Sequence, residues 1–196
     1  GYVGLPLAMA YAEAGFRTVG FDVDAERTRA LGEGTSHIED VPHERVQAGV
    51  GSGRFEPTSD PGRLFTADAV FICVPTPFDA AKTPDLTYIK AAADAVSRTL
   101  HAGMLVVLQS TTYPGTTTEV VQPVLERCGL KAGQDFHLAF SPERIDPGNT
   151  TWTVRNTPKV VGGLTAECGE RARLLLESVM DDEGSVHVLS STATAE

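Results

Sequence analysis

Short apolar segments alternate with amphipathic segments along most of the chain. Short, largely apolar segments at 18–22, 69–74, 104–109 and 136–140 have the length of buried β-strands, and 69–74 is apolar throughout. Between them, helix-forming residues with apolar positions at helical spacing, often ended by a glycine, predict α-helices. The predicted helices are 5–13, 25–31, 86–100, 116–127 and 166–180, and further strands are predicted at 159–161 and 185–189. Strands that alternate with helices form βαβ units, so the pattern predicts a doubly wound α/β fold whose parallel sheet is covered on both faces.

One stretch, 33–60, is polar and rich in glycine, and it predicts only a short helix at 43–48. We find no repeat, low-complexity tract or linker that would divide the chain. We therefore interpret residues 1–196 as one domain, long enough to bury a sizeable core.

Charge and cysteine content narrow the function classes. The chain carries 16 basic and 26 acidic residues, a net charge of −10, which makes nucleic acid and anionic membranes poor partners. The apolar runs are far too short to span a bilayer. Cys73, Cys128 and Cys168 are widely separated and lack the spacing of a zinc site, so we predict no metal and a reducing, cytoplasmic location.

The first residues have a pattern typical of a dinucleotide-binding loop. Gly1 and Gly4 open a predicted helix, a strand follows, and that strand ends in Asp22, 21 residues after Gly1. In dinucleotide-binding folds the pyrophosphate lies at such a helix N-terminus, and an acid about 20 residues on binds the ribose hydroxyls. Asp22 would repel a 2′-phosphate, which favours NAD over NADP. An ordinary turn and a helix-capping Asp22 explain the same residues without a cofactor, and Arg27 is either a ligand of the cofactor phosphates or a solvated helix residue.

Polar residues and prolines follow the predicted strands at the point where each strand ends. Ligands of open parallel sheets bind at this edge, so the residues suit a sugar-like or phosphate-bearing ligand. Each hydroxyl alone is more simply a helix cap or turn residue, and their placement on successive strand ends is what favours a site. The segments are Asp22 with Asp24, Pro75-Thr76-Pro77, Ser110-Thr111-Thr112 and Ser141-Pro142-Glu143-Arg144.

Several motifs, in this order, resemble those of the nucleotide-sugar 6-dehydrogenases, the UDP-glucose/GDP-mannose dehydrogenase group. They are GYVGLPLA at 1–8, ICVPTP at 72–77, QSTTYPGTT at 109–117, FSPERIDPGN at 140–149, KVVGG at 159–163 and STATAE at 191–196. The SPERIDPGN segment is more similar to the subgroup that acts on UDP-N-acetylhexosamines, GlcNAc or ManNAc, than to the UDP-glucose subgroup. The resemblance implies a Rossmann-like NAD-binding domain and a UDP-sugar substrate.

The resemblance also implies a two-step oxidation of the sugar C6 alcohol to the uronic acid, with two NAD consumed and a cysteine thioester as intermediate. By position, Thr111 matches a threonine that helps to order the catalytic water, and Glu143 matches the glutamate assigned to thioester hydrolysis. The implied cofactor contacts are Gly1, Tyr2, Val3, Gly4, Asp22, Arg27, Pro75, Thr76, Ser110 and Thr111, and the implied substrate contacts are Glu143, Arg144 and Glu196.

Two observations qualify the role of Glu143. An ion pair with Arg144 or another nearby cation explains the residue without catalysis. The UDP-glucose enzymes often carry a second acid four residues later, where this chain has Pro147. The loop therefore lacks one of the two carboxylates on which a two-carboxylate mechanism depends.

Some parts of the family pattern are missing. The nucleophilic cysteine of the family lies in a G-G-x-C segment beyond the TAE motif, and none of the three cysteines has that setting. The first strand and the first glycine of the loop are also absent. We therefore expect an NAD-binding domain truncated at both ends, without the central helical and UDP-sugar-binding domains, that is inactive alone. The resemblance implies a homodimer or higher oligomer for the full-length protein.

Three alternatives stay open. They are a UDP-glucose 6-dehydrogenase, another NAD-dependent dehydrogenase of the β-hydroxyacid or 6-phosphogluconate type, and a non-catalytic dinucleotide-binding module. The SPERIDPGN and TAE motifs together argue against the second, and Thr111 with Glu143 argues mildly against the third.

Overall fold

The computed structural model describes residues 1–77, 84–144, 148–149 and 151–196. Its helices and strands alternate along most of the chain, as the apolar pattern predicts. In order they are α1 Gly4–Glu13, β1 Thr18–Phe21, α2 Ala25–Gly32, α3 His43–Gly51, β2 Phe55–Thr58, β3 Ala69–Ile72, α4 Thr87–Ser97, β4 Leu105–Leu108, α5 Gln122–Leu125, β5 His137–Phe140, β6 Lys159–Gly163, α6 Ala166–Glu177, β7 Val186–Leu189 and α7 Thr192–Ala195. Among the described residues, no helix has the length and apolar character needed to cross a membrane.

The strands form two groups. β1 pairs in parallel with β2, and a five-stranded sheet has the order β3-β4-β5-β6-β7. Neighbours in the larger sheet are parallel except β5 and β6, where Ala139 pairs with Gly163 in antiparallel register. The predicted parallel sheet therefore includes one antiparallel pair, β5 with β6, which the apolar pattern did not indicate. The described part of the connection from β5 to β6 contains no helix, and antiparallel neighbours need no helical crossover.

Helices cover both faces of the larger sheet. All four residues of β4 are buried, and successive side chains of a strand point to opposite faces. Val106 and Leu108 pack in one apolar cluster with residues of α4 and α5, while Leu105 and Val107 pack in another with residues of α6. The prediction of a doubly wound α/β fold is thereby confirmed.

The polar stretch 33–60 contains more structure than predicted. Besides α3 it forms the strand β2, whose Phe55 is buried. A Cβ on Gly20 of β1 would lie 2.7 Å from the Phe55 ring, so the ring fills the space that the glycine leaves. Glu56 and Pro57 are poor strand formers and hide this strand in the sequence, although proline is tolerated in an edge strand.

The predicted helix 116–127 is irregular. It begins as a π-helical turn over Thr117–Val121, continues as α5 and ends in a 3₁₀ turn before Gly129. Pro123 has no N–H to donate to the preceding turn, so a regular α-helical ladder is interrupted there. Gly129, with a φ of +91°, takes the left-handed conformation that commonly ends a helix.

The first residues of α1 lie between the carboxyl ends of β1 and β3. A Cβ on Gly4 would stand 3.7 Å from the Cβ of Cys73, directly after β3. The amino group of Gly1 is close enough to Asp22, directly after β1, to interact with its charge. The N-terminus of α1 therefore opens onto the edge where the predicted site residues lie.

Candidate cofactor and catalytic site

The N-terminus of α1 has the features of an anion-binding site. Among the described residues no side chain caps it, and the N–H of Leu5 donates to the carbonyl of Gly1 at 3.2 Å. The N–H groups before Leu5, those of Tyr2, Val3 and Gly4, form the positive end of the helix dipole. No described heavy atom lies within 4 Å of a Cβ placed on Gly1. A phosphate therefore has room to approach this backbone.

Asp22 lies beside this loop, directly after β1. Its carboxylate accepts from the N–H of Asp24 at 3.0 Å and from the Arg27 guanidinium at 2.7 Å. Partial burial raises the pKa of Asp22, but these hydrogen bonds and the positive charge of Arg27 outweigh it, so the pKa lies below its usual value. Asp24, and not Asp22, caps α2 by accepting from the N–H groups of Glu26 and Arg27. Asp22 is therefore an ionised acid with Arg27 as its ion-pair partner, and a contact of Arg27 with the cofactor phosphates stays a prediction.

The loops after β3 and β4 meet at the same edge. Pro75 is exposed and Thr76 half-buried in the first of them. The hydroxyl of Ser110 accepts from the N–H of Val74 at 2.9 Å and donates to the carbonyl of Ile72 at 3.3 Å. This hydroxyl therefore links the ends of β3 and β4. The sequence analysis predicted a cofactor contact for Ser110 and did not predict this structural role.

The loops after β4 and β5, together with the last residues of the chain, enclose a cleft of about 230 Å³. Its walls include the residues that the resemblance assigns to catalysis and substrate binding, together with neighbours from both loops. The lining residues are Thr111, Thr112, Phe140, Pro142, Glu143, Arg144, Ala195 and Glu196. The structure thus brings the predicted catalytic and substrate residues together, while their individual roles stay predictions. Pro147, which replaces the second acid of the UDP-glucose enzymes, lies outside the described residues.

The carboxylate of Glu143 is almost enclosed, with its side chain 5% exposed. One of its oxygens accepts from the backbone N–H of Arg144 at 2.7 Å and lies 3.5 Å from the ammonium of Lys159. The other oxygen accepts from the side-chain amide of Gln109 at 3.1 Å. The ion pair that offers a non-catalytic explanation of Glu143 therefore exists, with Lys159 as the cation and Arg144 contributing its backbone N–H.

Sequence reasoning missed Lys159 and Gln109. Each is a polar residue at the end of an apolar strand segment, Gln109 after LVVL and Lys159 before VVGG. Both are buried, with Lys159 at 0% and Gln109 at 1% exposure. Because lysine and glutamine are usually exposed, their burial is visible only when β4, β5 and β6 are placed side by side.

Glu196 follows α7 and is bound to the loop after β4. Its carboxylate accepts from the N–H of Gly115 at 2.6 Å, and from the N–H and the hydroxyl of Thr117 at 2.7 and 2.6 Å. These contacts satisfy N–H groups at the start of the π-helical turn. Glu196 therefore closes one end of the cleft, and its contact with a substrate stays a prediction.

The three cysteines do not line this cleft. Cys73 lies one residue beyond β3 rather than inside the strand as predicted, and its thiol donates to the side-chain carbonyl of Gln109 at 3.3 Å. Although the residue is half-buried, its thiol is enclosed, and this burial raises the pKa of Cys73 to about 12. Cys168 is buried in α6, and the thiol of Cys128 donates to the carbonyl of Leu125. That none of the three is the nucleophile stays a prediction.

The residues at this edge fit an NAD molecule. The N–H groups at the start of α1 suit its pyrophosphate, and the Asp22 carboxylate suits the ribose hydroxyls next to it. The cleft with Thr111 and Glu143 lies at the ends of the neighbouring strands, where the ligands of open α/β sheets bind.

Comparison with known proteins gives the same assignment. Residues 1–180 match the model of the UDP-glucose/GDP-mannose dehydrogenase family, NAD binding domain. The chain is 38% identical to the UDP-N-acetyl-D-glucosamine 6-dehydrogenase of Salmonella typhi over 172 residues, which cover 87% of this chain and 39% of that protein. It is 36% identical to Protein CapL of Staphylococcus aureus over 100% of its own length and 45% of that protein.

Solved structures agree with the sequence matches. The UDP-D-ManNAc dehydrogenase of Pyrococcus horikoshii has a TM-score of 0.91 at 30% identity, over 100% of this chain and 46% of that chain. This chain thus spans less than half the length of each of these relatives. The family match favours a nucleotide-sugar dehydrogenase over the β-hydroxyacid and 6-phosphogluconate groups. The helix N-terminus with its neighbouring acid, the cleft at the strand ends and the family match together show that the chain belongs to the UDP-glucose/GDP-mannose dehydrogenase family, as its NAD-binding domain.

Proposed function

We propose that this chain is the cofactor half of an NAD-dependent UDP-N-acetylhexosamine 6-dehydrogenase, which oxidises the C6 hydroxyl of UDP-N-acetylglucosamine or UDP-N-acetylmannosamine to a carboxylate. The observation that carries the proposal is the cleft in which Thr111 and the enclosed carboxylate of Glu143 line one space beside the cofactor loop. Relatives named as dehydrogenases of these two sugars support the substrate class.

The overall reaction converts R–CH₂OH, two NAD⁺ and one water into R–COO⁻, two NADH and three protons. NAD accepts a hydride in each of the two oxidation steps. Asp22 binds the adenosine ribose, and the backbone of Gly1 to Gly4 binds the pyrophosphate. In the hydrolytic step Glu143 takes a proton from a water ordered by Thr111, the hydroxide adds to the acyl carbon, and the thiolate leaves. The cysteine that carries the acyl group belongs to a part of the enzyme outside this chain.

We also propose that residues 1–196 are one domain of a longer protein, with a first strand that joins β1 to β3 and with central helical and UDP-sugar-binding domains. The placement of β1 and β3 in separate sheets supports the missing strand. The greater length of the relatives supports the additional domains. For the full-length enzyme we propose a homodimer or higher oligomer and a cytoplasmic location, where NAD is available.

Turnover by the full-length enzyme tests this proposal. The purified enzyme is incubated with NAD and either UDP-N-acetylglucosamine, UDP-N-acetylmannosamine or UDP-glucose, and NADH and uronic acid are both quantified. We expect two NADH for each uronic acid with one of the two N-acetylhexosamines. Oxidation of UDP-glucose alone would overturn the substrate class, and the absence of turnover with all three would overturn the dehydrogenase activity.

The role of Glu143 is tested in the same assay. Glu143→Gln should lower kcat on the order of 10²- to 10⁴-fold, the usual contribution of a general base. Glu33→Gln is the matched control, because it alters a carboxylate that pairs with Arg29 on the exposed surface and does not line the cleft. Full activity of Glu143→Gln would refute its catalytic role.

A further inference from the structure

The pair of Lys159 and Glu143 is the most enclosed ion pair in the described part of the chain. The two side chains are 0% and 5% exposed, whereas both side chains of every other described ion pair are at least 20% exposed. Burying an ammonium group is strongly unfavourable unless a partner compensates its charge. Lys159 is therefore present at a considerable cost, which points to a role beyond stability.

The carboxylate of Glu143 is held on both of its oxygens. Lys159 and the backbone N–H of Arg144 contact one oxygen, and the amide of Gln109 donates to the other. The thiol of Cys73 donates to the carbonyl oxygen of the same amide, which turns the NH₂ group of Gln109 towards Glu143. The orientation of the carboxylate is thus defined by side chains that are themselves fixed by burial and hydrogen bonds.

Lys159 and Gln109 do not line the cleft that contains Thr111 and Glu143. They touch Glu143 from the protein side, so any effect on a substrate passes through that carboxylate. We propose that Lys159 and Gln109 are positioning residues for Glu143, which compensate its charge and hold it towards the hydrolytic water. This inference rests on the proposed catalytic role of Glu143.

Steady-state and single-turnover kinetics of the full-length enzyme test the inference. Lys159→Met removes the charge and keeps a side chain of similar size, Lys159→Arg keeps the charge, and Gln109→Leu removes the second donor. Lys131→Met is the matched control, since Lys131 pairs with Glu126 at the surface. The measured quantities are kcat, the KM values for NAD and UDP-sugar, and the amount of covalent sugar–enzyme adduct seen by mass spectrometry of the intact protein.

We expect Lys159→Met to lower kcat by about tenfold or more, a part of the contribution of a general base, with both KM values within about twofold of wild type. The covalent adduct should accumulate, because the hydrolytic step is the one that slows. Lys159→Arg should recover most of kcat, Gln109→Leu should show a smaller loss of the same kind, and Lys131→Met should behave as wild type.

Wild-type kcat in Lys159→Met and Gln109→Leu would overturn the inference while the proposed function stands. If Lys159→Met lowers kcat without accumulation of the covalent adduct, and Lys159→Arg does not restore kcat, the role of Lys159 is structural. That result would also overturn the inference. If Lys159→Met does not fold, Gln109→Leu decides by the same criteria, because it leaves the ion pair intact. A wild-type enzyme with no activity on the UDP-sugars would overturn both the proposed function and this inference.

Discussion

Replacing Asp22 by asparagine should weaken NAD binding without unfolding the domain. The substitution keeps the size and shape of the side chain and removes its charge. Asp22 and Arg27 form an ion pair whose side chains are 23% and 36% exposed. A pair this accessible to water contributes about 0–1 kcal/mol to stability, so the fold persists without it.

The expected loss of affinity follows from the hydrogen bonds that the charge strengthens. A carboxylate at the end of β1 accepts from ribose hydroxyls, and hydrogen bonds to a charged group contribute about 1.5–3 kcal/mol. Asparagine keeps one weaker acceptor, so the loss of about that size raises the Kd for NAD roughly 10- to 150-fold. Without the Asp22 charge, Arg27 becomes available to a 2′-phosphate, so the affinity for NADP should rise. The ratio of the two affinities, NAD over NADP, should therefore fall by a larger factor than the affinity for NAD alone.

Titration of NADH and NADPH by fluorescence measures both affinities. Glu33→Gln is the control, because it removes the same charge at a position away from the site. Glu33 pairs with Arg29 on the exposed surface. A Kd for NADH within twofold of wild type in Asp22→Asn, with an unchanged preference over NADPH, would refute the assignment of Asp22 to the ribose.

Two further predictions concern stability. A Cβ on Gly163 would lie 2.5 Å from the carbonyl oxygen of Thr165, so Gly163→Ala should destabilise the protein by about 1–3 kcal/mol in urea unfolding. At Gly51, a helical position where no described atom lies within 4 Å, Gly51→Ala should instead stabilise the protein by about 0.4–1 kcal/mol, and equal destabilisation by both changes would contradict the close approach. Burial and the charge of Arg171 lower the pKa of His137 in the folded protein. As the pH decreases through about 6.5, His137 is therefore protonated in the unfolded state before it is protonated in the folded state, and the free energy of unfolding should decrease. His137→Gln should flatten this part of the Tm–pH profile, and an unchanged profile would contradict it.

The positions of the site residues were predictable because their chemistry coincides with the ends of apolar strands. Asp22 after β1 and Glu143 after β5 lie at one edge, as expected for ligand-binding loops of an open α/β sheet. The strand β2 was not predictable in the same way. Phe55 is its one strongly apolar residue, and it is buried because Gly20 on β1 leaves space for its ring. Gly20 and Phe55 are 35 positions apart, so their fit produces no hydrophobic periodicity in the local sequence.

The residues that support Glu143 were not predictable for a related reason. Gln109 and Lys159 are 34 and 16 positions from Glu143, and each lies at the end of a different strand. Because polar residues are usually exposed, a polar residue next to an apolar run predicts an exposed strand end. The local sequence does not show which strand will lie beside that residue and bury it. Residues that line a cleft carry recognisable motifs, whereas the buried residues behind them are defined by long-range packing.

The orientation of β6 decides which residue lies behind Glu143. In the antiparallel register, Phe140 pairs with Gly162, so the chain before Gly162 runs alongside the chain after Phe140 and brings Lys159 to Glu143. With β6 parallel to β5, Lys159 would lie towards the amino end of β5 and Glu143 would have no buried cation from this strand. The antiparallel pairing of β5 and β6, which the sequence pattern does not indicate, is therefore the feature that gives the candidate base its partner.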